Sequence, residues 1–182
     1  LCGSGDIIMS NRSGEKLQRL QQELGIVAAV DNNQVMSEAE YIILAVKPQQ
    51  FPAVCSTLTQ KPQAGQAVIS IMAGLSMAAI TEQLGAVALF RAMPNTPAKI
   101  GWGMTGVAAG ELVTETQKQV VQEIFDSVGQ TIFIEEAYID AVGAVSGSGP
   151  AYMYQILEAL ADGAVLTGLP RAMAYHQAAQ TM

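Results

Sequence analysis

The first 134 residues alternate between uninterrupted apolar runs and segments in which apolar residues recur at helical spacing. Such runs are typical of strands buried on both faces of a parallel sheet. They predict strands at 7–10, 26–30, 41–46, 67–72, 86–90 and 132–134. Helical spacing predicts helices at 17–24, 48–59, 76–84 and 114–128. A polar segment at 31–40 lies between two of the strands, and a glycine-rich extended piece at 100–110 precedes the last of these helices. This alternation favours an α/β fold with a doubly wound sheet.

From residue 135 the pattern changes to nearly continuous helix that is rich in small residues. Two helices are expected, at 137–145 and 150–166, and the turn between them consists of Ser146, Gly147, Ser148 and Gly149. We therefore expect two domains, at 1–135 and 136–182. The apolar helices of the second domain have too few partners to bury them, which predicts an oligomer or additional helices. The sequence does not begin with Met and ends within a helical pattern, so we expect a fragment.

The composition narrows the class of function. Nine Lys and Arg against 16 Asp and Glu give a net charge of -7 without any basic run, so nucleic acid is not an expected partner. No apolar stretch reaches the roughly 18 residues of a membrane span, so a membrane is not expected either. Cys2 and Cys55 have no ligand-like spacing, so we expect neither a disulfide framework nor a metal site, and a reducing cytoplasm is the default location.

Ligands of parallel α/β sheets bind outside the carboxyl ends of the strands. Arg12 and Lys47 both follow predicted strands, which gives this acidic chain a local positive pocket suited to a phosphorylated cofactor. In a dinucleotide fold, an arginine after the second strand accommodates the 2′-phosphate of NADP, where an acid would accept the ribose of NAD. Arg12 therefore predicts NADP(H), if 7–10 is that second strand. Its first strand and glycine loop would lie upstream, and either cation alone is equally compatible with a solvated loop charge.

The turn that precedes Pro150 is a second candidate site, since free N–H groups at a helix start can bind a carboxylate or a phosphate. Glycines that let two helices approach closely are an equal alternative there. Glu135 and Glu136 can face a cationic ligand, although acids before a helix more often complement its dipole. His176 has no nucleophile or acid in a recognisable arrangement, so a hydrolytic triad is not predicted.

Several motifs occur together in a specific order: SNRS at 10–13, DN at 31–32, LAVKPQ at 44–49, MPNTP at 93–97, IDAV at 139–142 and SGSGPAY at 146–152. With this combination the chain resembles pyrroline-5-carboxylate reductase over essentially its whole length. The resemblance implies a Rossmann-type doubly wound sheet followed by an all-α dimerisation domain, without the N-terminal glycine fingerprint and the last helices. It also implies reduction of 1-pyrroline-5-carboxylate to L-proline by NAD(P)H, the last step of proline biosynthesis.

The resemblance also assigns roles to residues. NADP(H), or alternatively NAD(H), would be bound by Ser10, Asn11, Arg12, Asn32, Ala45, Val46, Lys47, Pro48, Ala73, Gly74, Asn95 and Thr96. The substrate would be bordered by Glu136, Ser146, Gly147, Ser148 and Gly149. No catalytic acid or base is assigned, because a protonated cyclic imine is already an electrophile and mainly needs alignment with the hydride donor. A homodimer or a larger homo-oligomer is the expected assembly.

Two alternatives stay open. Another NADP-dependent imine or 3-hydroxyacid dehydrogenase of the same superfamily would be indicated by a catalytic Lys in the second domain, where Arg171 is the only Lys or Arg. A catalytically silent nucleotide-binding relative is the other alternative. Retention of both the cofactor motifs and the turn at 146–149 argues against it.

Overall fold

The computed structural model describes residues 2–182; Leu1, the first residue of the predicted first domain, lies outside them. Within this range the strands are β1 (Ile8–Met9), β2 (Val27–Ala28), β3 (Tyr41–Leu44), β4 (Ala67–Ser70), β5 (Ala88–Met93), β6 (Gly103–Ala109) and β7 (Gly129–Phe133). The α-helices are α1 (Gly14–Leu24), α2 (Asn32–Glu38), α3 (Phe51–Ser56), α4 (Met77–Leu84), α5 (Glu115–Asp126), α6 (Ile139–Val142), α7 (Gly149–Leu166) and α8 (Arg171–Thr181). The predicted α/β class, with helices after it, is confirmed.

The strands form two sheets. β1 and β2 are a parallel pair, and β3, β4, β5, β6 and β7 form a five-stranded sheet in that order. β3, β4 and β5 are parallel, whereas β6 runs antiparallel to β5. A short 3₁₀ turn at Thr96–Ile100 connects β5 to β6. This connection is too short for the crossover helix that a parallel neighbour requires, so the glycine-rich segment returns antiparallel.

The polar segment at 31–40, for which no helix was predicted, contains α2. Asp31 caps this helix by accepting a hydrogen bond from the Gln34 N–H at 2.9 Å. Met36 is buried in the core, and the Gln66 side-chain amide donates to the Met36 carbonyl at 2.9 Å. One buried residue in two turns is too weak a period to reveal a helix, so capping and tertiary contacts decide here.

The central strands are buried on both faces, as the apolar runs predicted. Val68 and Leu89 belong to one cluster with Ile80 of α4. The alternate residues Ile69 and Phe90 belong to the other cluster, which includes residues of α5. The two clusters fix the sheet between α4 and α5, so that the carboxyl ends of β3, β4 and β5 lie at one edge.

Helix α6 lies against β5 and β6. A Cβ at Gly106 of β6 would lie 2.8 Å from Val142 Cγ1, so this approach requires a glycine. The predicted break at 146–149 is instead a π-helical turn over Gly143–Gly147, closed by the Ser148 N–H donating to the Gly143 carbonyl at 2.9 Å. In the described part of the chain, no helix is both long and apolar enough to cross a bilayer.

Candidate functional site

A cavity of about 400 Å³ opens at the carboxyl edge of the five-stranded sheet. It is lined by Ala73, Gly74, Met93, Pro94, Asp140, Gly143, Gly147 and Ser148. Four of these residues were site candidates from the sequence, two for the cofactor and two for the substrate. The structure therefore brings the segment after β4 together with the π-helical turn, although Gly147 lies 73 positions after Gly74 in the sequence.

The sheet side of the cavity is shaped by the turn between β4 and α4. Gly74 has φ +77°, a left-handed conformation that side chains rarely adopt. Ser76 then caps α4 by accepting a hydrogen bond from the Ala79 N–H at 3.2 Å. A tight glycine turn followed by a capped helix leaves small groups facing the cavity.

The opposite wall is the π-helical turn. Its shape is held by the Ser146 hydroxyl, which donates to the Val142 carbonyl at 3.0 Å. A Cβ at Gly147 would meet only Met93 Cγ at 4.0 Å, and one at Gly149 would meet nothing within that distance. Close helix packing therefore does not require glycine at these two positions. Their lack of side chains instead leaves room in or near the cavity, and π-turns of this kind are frequent at functional sites.

Asn95 connects the two walls. Its side-chain amide donates to the Ser146 carbonyl at 3.0 Å, and its Oδ1 accepts from the Met104 N–H at 2.9 Å. Asn95 thus holds the π-helical turn against the end of β5 and the start of β6. Thr96 is exposed and begins the 3₁₀ turn that follows. Neither residue lines the cavity itself, and their cofactor role stays a prediction.

Glu136 contacts the start of α4, which follows the turn that lines the cavity. Its Oε1 accepts a hydrogen bond from the N–H of Met77, the first residue of α4, at 2.6 Å and lies 3.4 Å from Arg91 Nη1. Glu136 thus interacts with the N-terminus of a helix, which is the alternative to a role in ligand binding. The helix is α4, however, and not the one that follows Glu136 in the sequence. Its predicted substrate role stays untested.

Sequence reasoning missed Arg91. This residue lies on β5, is 5% exposed and makes a second ion pair with Asp140, with 2.7 Å between Nη2 and Oδ1. A signal was present, since Arg91 is the one charged residue in the otherwise apolar stretch 86–93. A charge in a central strand must be paired, because burial of an unpaired charge is costly.

A second group of candidates follows the β1–β2 pair. Ser10, Asn11 and Arg12 come directly after β1, where Asn11 Oδ1 accepts from the Ser13 N–H at 3.0 Å. Ser13 Oγ in turn caps α1. This hydrogen bonding fixes the loop, while Arg12 stays exposed and takes part in none of the ion pairs found among residues 2–182.

Asn32 is half-buried in the first turn of α2, directly after the cap at Asp31. Hydrogen bonds from the Gln34 backbone and then from the Asn33 side chain lower the pKa of the Asp31 carboxyl. Asp31 is therefore ionised at neutral pH at the end of the β1–β2 pair. Within residues 2–182, no strand pairing joins β1–β2 to the five-stranded sheet.

The candidates after β3 occupy the same edge as the cavity. Ala45 and Lys47 are exposed, whereas Val46 and Pro48 are half-buried. All the cofactor candidates therefore follow the carboxyl ends of β1 to β5, which is where open α/β sheets bind ligands. With exposed cations at Arg12 and Lys47, this arrangement fits a phosphorylated dinucleotide. The residues around the cavity and those after β1 and β2 nevertheless form separate groups in the described chain.

A doubly wound sheet with its candidate residues at the strand ends, followed by a helical region, defines the class of Rossmann-type α/β proteins with a C-terminal helical domain. Residues 136–182 match the family model described as pyrroline-5-carboxylate reductase dimerisation, and residues 1–74 match the one described as NADP oxidoreductase coenzyme F420-dependent. The chain belongs to the pyrroline-5-carboxylate reductase family.

Individual proteins agree with this membership. The chain is 42% identical to a pyrroline-5-carboxylate reductase of Synechocystis over 97% of its own length and 66% of that protein. The solved reductase of Coxiella burnetii is 36% identical, with a TM-score of 0.87 over 96% of this chain and 66% of that one. That of Plasmodium falciparum, solved with NADP bound, is 29% identical with a TM-score of 0.87, over 98% and 65% respectively. The chain thus spans about two thirds of these relatives.

Proposed function

We propose that this protein reduces 1-pyrroline-5-carboxylate to L-proline by hydride transfer from NADPH, with NADH as an alternative donor. The observation that carries the proposal is the cavity of about 400 Å³ in which Ala73 and Gly74 face Gly147 and Ser148. That cavity brings together a segment that the family resemblance assigns to the cofactor and one that it assigns to the substrate. Its small lining residues leave space for a nicotinamide ring and a five-membered ring side by side.

The cofactor would be held along the strand ends. Arg12 would bind the 2′-phosphate beside Ser10 and Asn11, which is supported by the exposure of its guanidinium. Asn32, Ala45, Val46, Lys47 and Pro48 would continue the path, and Ala73, Gly74, Asn95 and Thr96 would shape the nicotinamide end. The Plasmodium falciparum relative, solved with NADP bound, supports the same cofactor class. When bound, NADPH supplies the hydride.

The substrate would lie against the π-helical turn, with Ser146, Gly147, Ser148 and Gly149 at its border. Glu136 would also border the substrate. Its Oε1 contacts the Met77 N–H and Arg91, so it would in addition hold the start of α4 beside the cavity. The imine nitrogen is protonated before reaction, so hydride addition to the imine carbon sends the C=N electron pair to nitrogen and gives the amine. The chain's task is then to align the two rings and to exclude water.

The domain limits 1–135 and 136–182 are part of the proposal, as is a homodimer or larger homo-oligomer. The exposed apolar side chains of α7 and α8, which include Tyr154, Leu160 and Met173, support self-association. Cys2 and Cys55 are both free, which is compatible with a reducing cytoplasm as the location.

The test uses the protein in its full length. NADPH oxidation, and separately NADH oxidation, is followed with and without 1-pyrroline-5-carboxylate, and the product is identified. We expect substrate-dependent oxidation with L-proline as the product. Oxidation with other cyclic imines only would assign the protein to a different imine reductase, and NADPH binding without any turnover would make it a silent relative.

A pair of glycine variants ties the activity to the cavity. Gly147→Leu fills the space next to Met93 and should reduce turnover at least tenfold. Gly14→Leu adds the same side chain at an exposed helix position with no neighbour within 4 Å, and its turnover should match that of the wild type. Equal activity of both variants would place the reaction elsewhere.

A further inference from the structure

Arg91 lies where three elements of the cavity meet. It is part of β5, it contacts Asp140 of α6, and it shares Glu136 with the first N–H of α4. Each of these elements is continuous with the cavity wall. β5 ends at Met93 and is followed by Pro94, α6 leads into Gly143, and the turn before α4 contains Ala73 and Gly74.

The burial of the three charges is unequal. The Arg91 side chain is 6% exposed, that of Glu136 is 34% exposed, and that of Asp140 is 77% exposed. The buried Arg91 Nε makes no hydrogen bond within residues 2–182, so only the two Nη groups are engaged. A buried cation whose closer carboxylate partner is largely exposed contributes little net stability, because desolvation of the arginine offsets much of the attraction. The two Nη groups of Arg91 contact two different carboxylates, so the guanidinium is well suited to orienting the elements that carry Glu136 and Asp140.

We propose that Arg91 is a positioning residue for the reaction, acting through Asp140 and Glu136 to hold the Gly143–Gly147 turn opposite Ala73 and Gly74. This inference rests on the proposed function. Without Arg91, Asp140 loses the partner that orients α6, and Glu136 keeps only its contact with α4. The two walls then become free to shift relative to each other, and a displacement of about 1 Å is enough to impair hydride transfer strongly.

The role separates cofactor binding from substrate alignment. The nicotinamide end of NADPH would share the cavity, but its 2′-phosphate would lie at Arg12, after a strand of a different sheet from Arg91. NADPH affinity should therefore depend less on the ion pairs than substrate alignment does. Substrate and product, in contrast, would occupy the cavity that Asp140 lines. A general loss of folding would lower both affinities together, whereas a positioning role lowers only the second.

The experiment uses the full-length protein and the variants Arg91→Gln, Arg91→Lys, Asp140→Asn and their double combination Arg91→Gln/Asp140→Asn. For each we would measure kcat and KM for 1-pyrroline-5-carboxylate, the Kd for NADPH, the Kd for L-proline on the NADP complex, and the thermal midpoint. Arg19→Gln is the matched control, because it removes an arginine from an exposed i,i+4 ion pair with Glu23.

We expect Asp140→Asn and Arg91→Gln to lower kcat/KM and L-proline affinity at least tenfold, with NADPH affinity within threefold of wild type. Arg91→Lys should recover part of the loss, since an ammonium can serve one carboxylate but not two. The double variant should be no worse than Arg91→Gln, because Arg91→Gln already removes the ion pair that Asp140→Asn breaks. Arg19→Gln should behave as wild type.

Two results would overturn the positioning role. One is an Asp140→Asn variant with unchanged kinetic constants. Because Asp140 is exposed, this variant should fold normally, so its kinetic constants report on the ion pair with Arg91. The other is a parallel loss of NADPH affinity and thermal midpoint in the Arg91 variants, which indicates a structural role only. If the wild-type protein has no activity on 1-pyrroline-5-carboxylate, the proposed function is wrong. The affinities of the wild type for L-proline and NADPH then distinguish this failure from a failure of the positioning role.

Discussion

The Arg12 guanidinium is exposed in a loop that Asn11 and Ser13 hold in place. If it binds the 2′-phosphate, Arg12→Ala should weaken NADPH by at least about tenfold while NADH changes less than twofold, since a charge-assisted hydrogen bond is worth roughly 1.5–3 kcal/mol. Fluorescence titration of both cofactors measures the difference. Arg19→Ala, an exposed arginine on α1, is the control, and equal weakening of the two cofactors would contradict the phosphate role.

The two cysteines should differ in reactivity. Burial raises the pKa of the Cys55 thiol, although the nearby Lys61 charge lowers it in part, whereas Cys2 is exposed. Because the thiolate is the reactive form, Cys55 stays mostly protonated at neutral pH. A thiol reagent should therefore modify Cys2 at least tenfold faster in the native protein. In Cys2→Ser the remaining reaction should accelerate only above the usual thiol pKa; a rapid reaction at pH 7 would show that Cys55 is accessible as thiolate.

Residues that line the cavity could be singled out where a motif or a strand end marks them. Ala73, Gly74, Gly147 and Ser148 were singled out in this way, and all four line the cavity, whereas their roles toward cofactor and substrate stay predictions. Arg91 was not found, because its partners Glu136 and Asp140 are more than 40 residues away in the sequence. Long-range pairing of a buried charge depends on how α6 packs on the sheet, and no local pattern contains that information.

At the level of elements, the start of β7 depends on a single glycine. Gly129 has φ +156°, and a Cβ there would lie 2.0 Å from the Gly103 carbonyl oxygen of the neighbouring strand β6. Gly129→Ala should therefore separate the strand ends and destabilise the fold by at least about 2 kcal/mol. Chemical denaturation measures this change.

Gly14→Ala provides the comparison for that substitution. Gly14 is the first residue of α1 and has no atom within 4 Å of a Cβ, so alanine should leave stability unchanged or slightly higher. Equal stability of Gly129→Ala and Gly14→Ala would mean that β6 and β7 adjust to the methyl group without cost.

The sequence predicts elements best where burial and capping agree. The helix predicted at 114–128 is present as α5, and Thr114 and Gln117 form a capping box at its start, with the Gln117 N–H donating to Thr114 Oγ1 at 3.2 Å. α2 was missed because only Met36 is fully buried in it. The direction of β6 was not predictable from its composition, since it follows from the short connection after β5 rather than from the residues of the strand.

At the scale of the whole molecule, the described chain has two unequal parts. Helices cover both faces of the sheet, and this part buries large side chains such as Phe51 of α3 and Phe90 of β5. The α7–α8 pair, in contrast, buries only a small cluster of Ala161, Ala174 and Ala178. Leu157, Val165 and Leu169 are partly buried against this cluster, but much of the apolar surface of the pair stays exposed, which supports the proposed self-association.

Met153, Ile156 and Leu160 form the relevant stripe on α7. They are spaced three and four residues apart and are each nearly half exposed, which is the pattern of a helix packed against another helix.

If this stripe lies in a subunit interface, Leu160→Glu should raise the dissociation constant of the assembly by at least about 100-fold, because burial of a charge in place of leucine costs upwards of about 2.7 kcal/mol. Sedimentation velocity over a range of protein concentrations measures the shift. Leu24→Glu is the matched control, since Leu24 is similarly exposed at the end of α1, away from α7 and α8. An unchanged assembly in Leu160→Glu would move the interface to another face. Dissociation caused by both variants would instead indicate a general effect of added negative charge on a chain whose net charge is already -7.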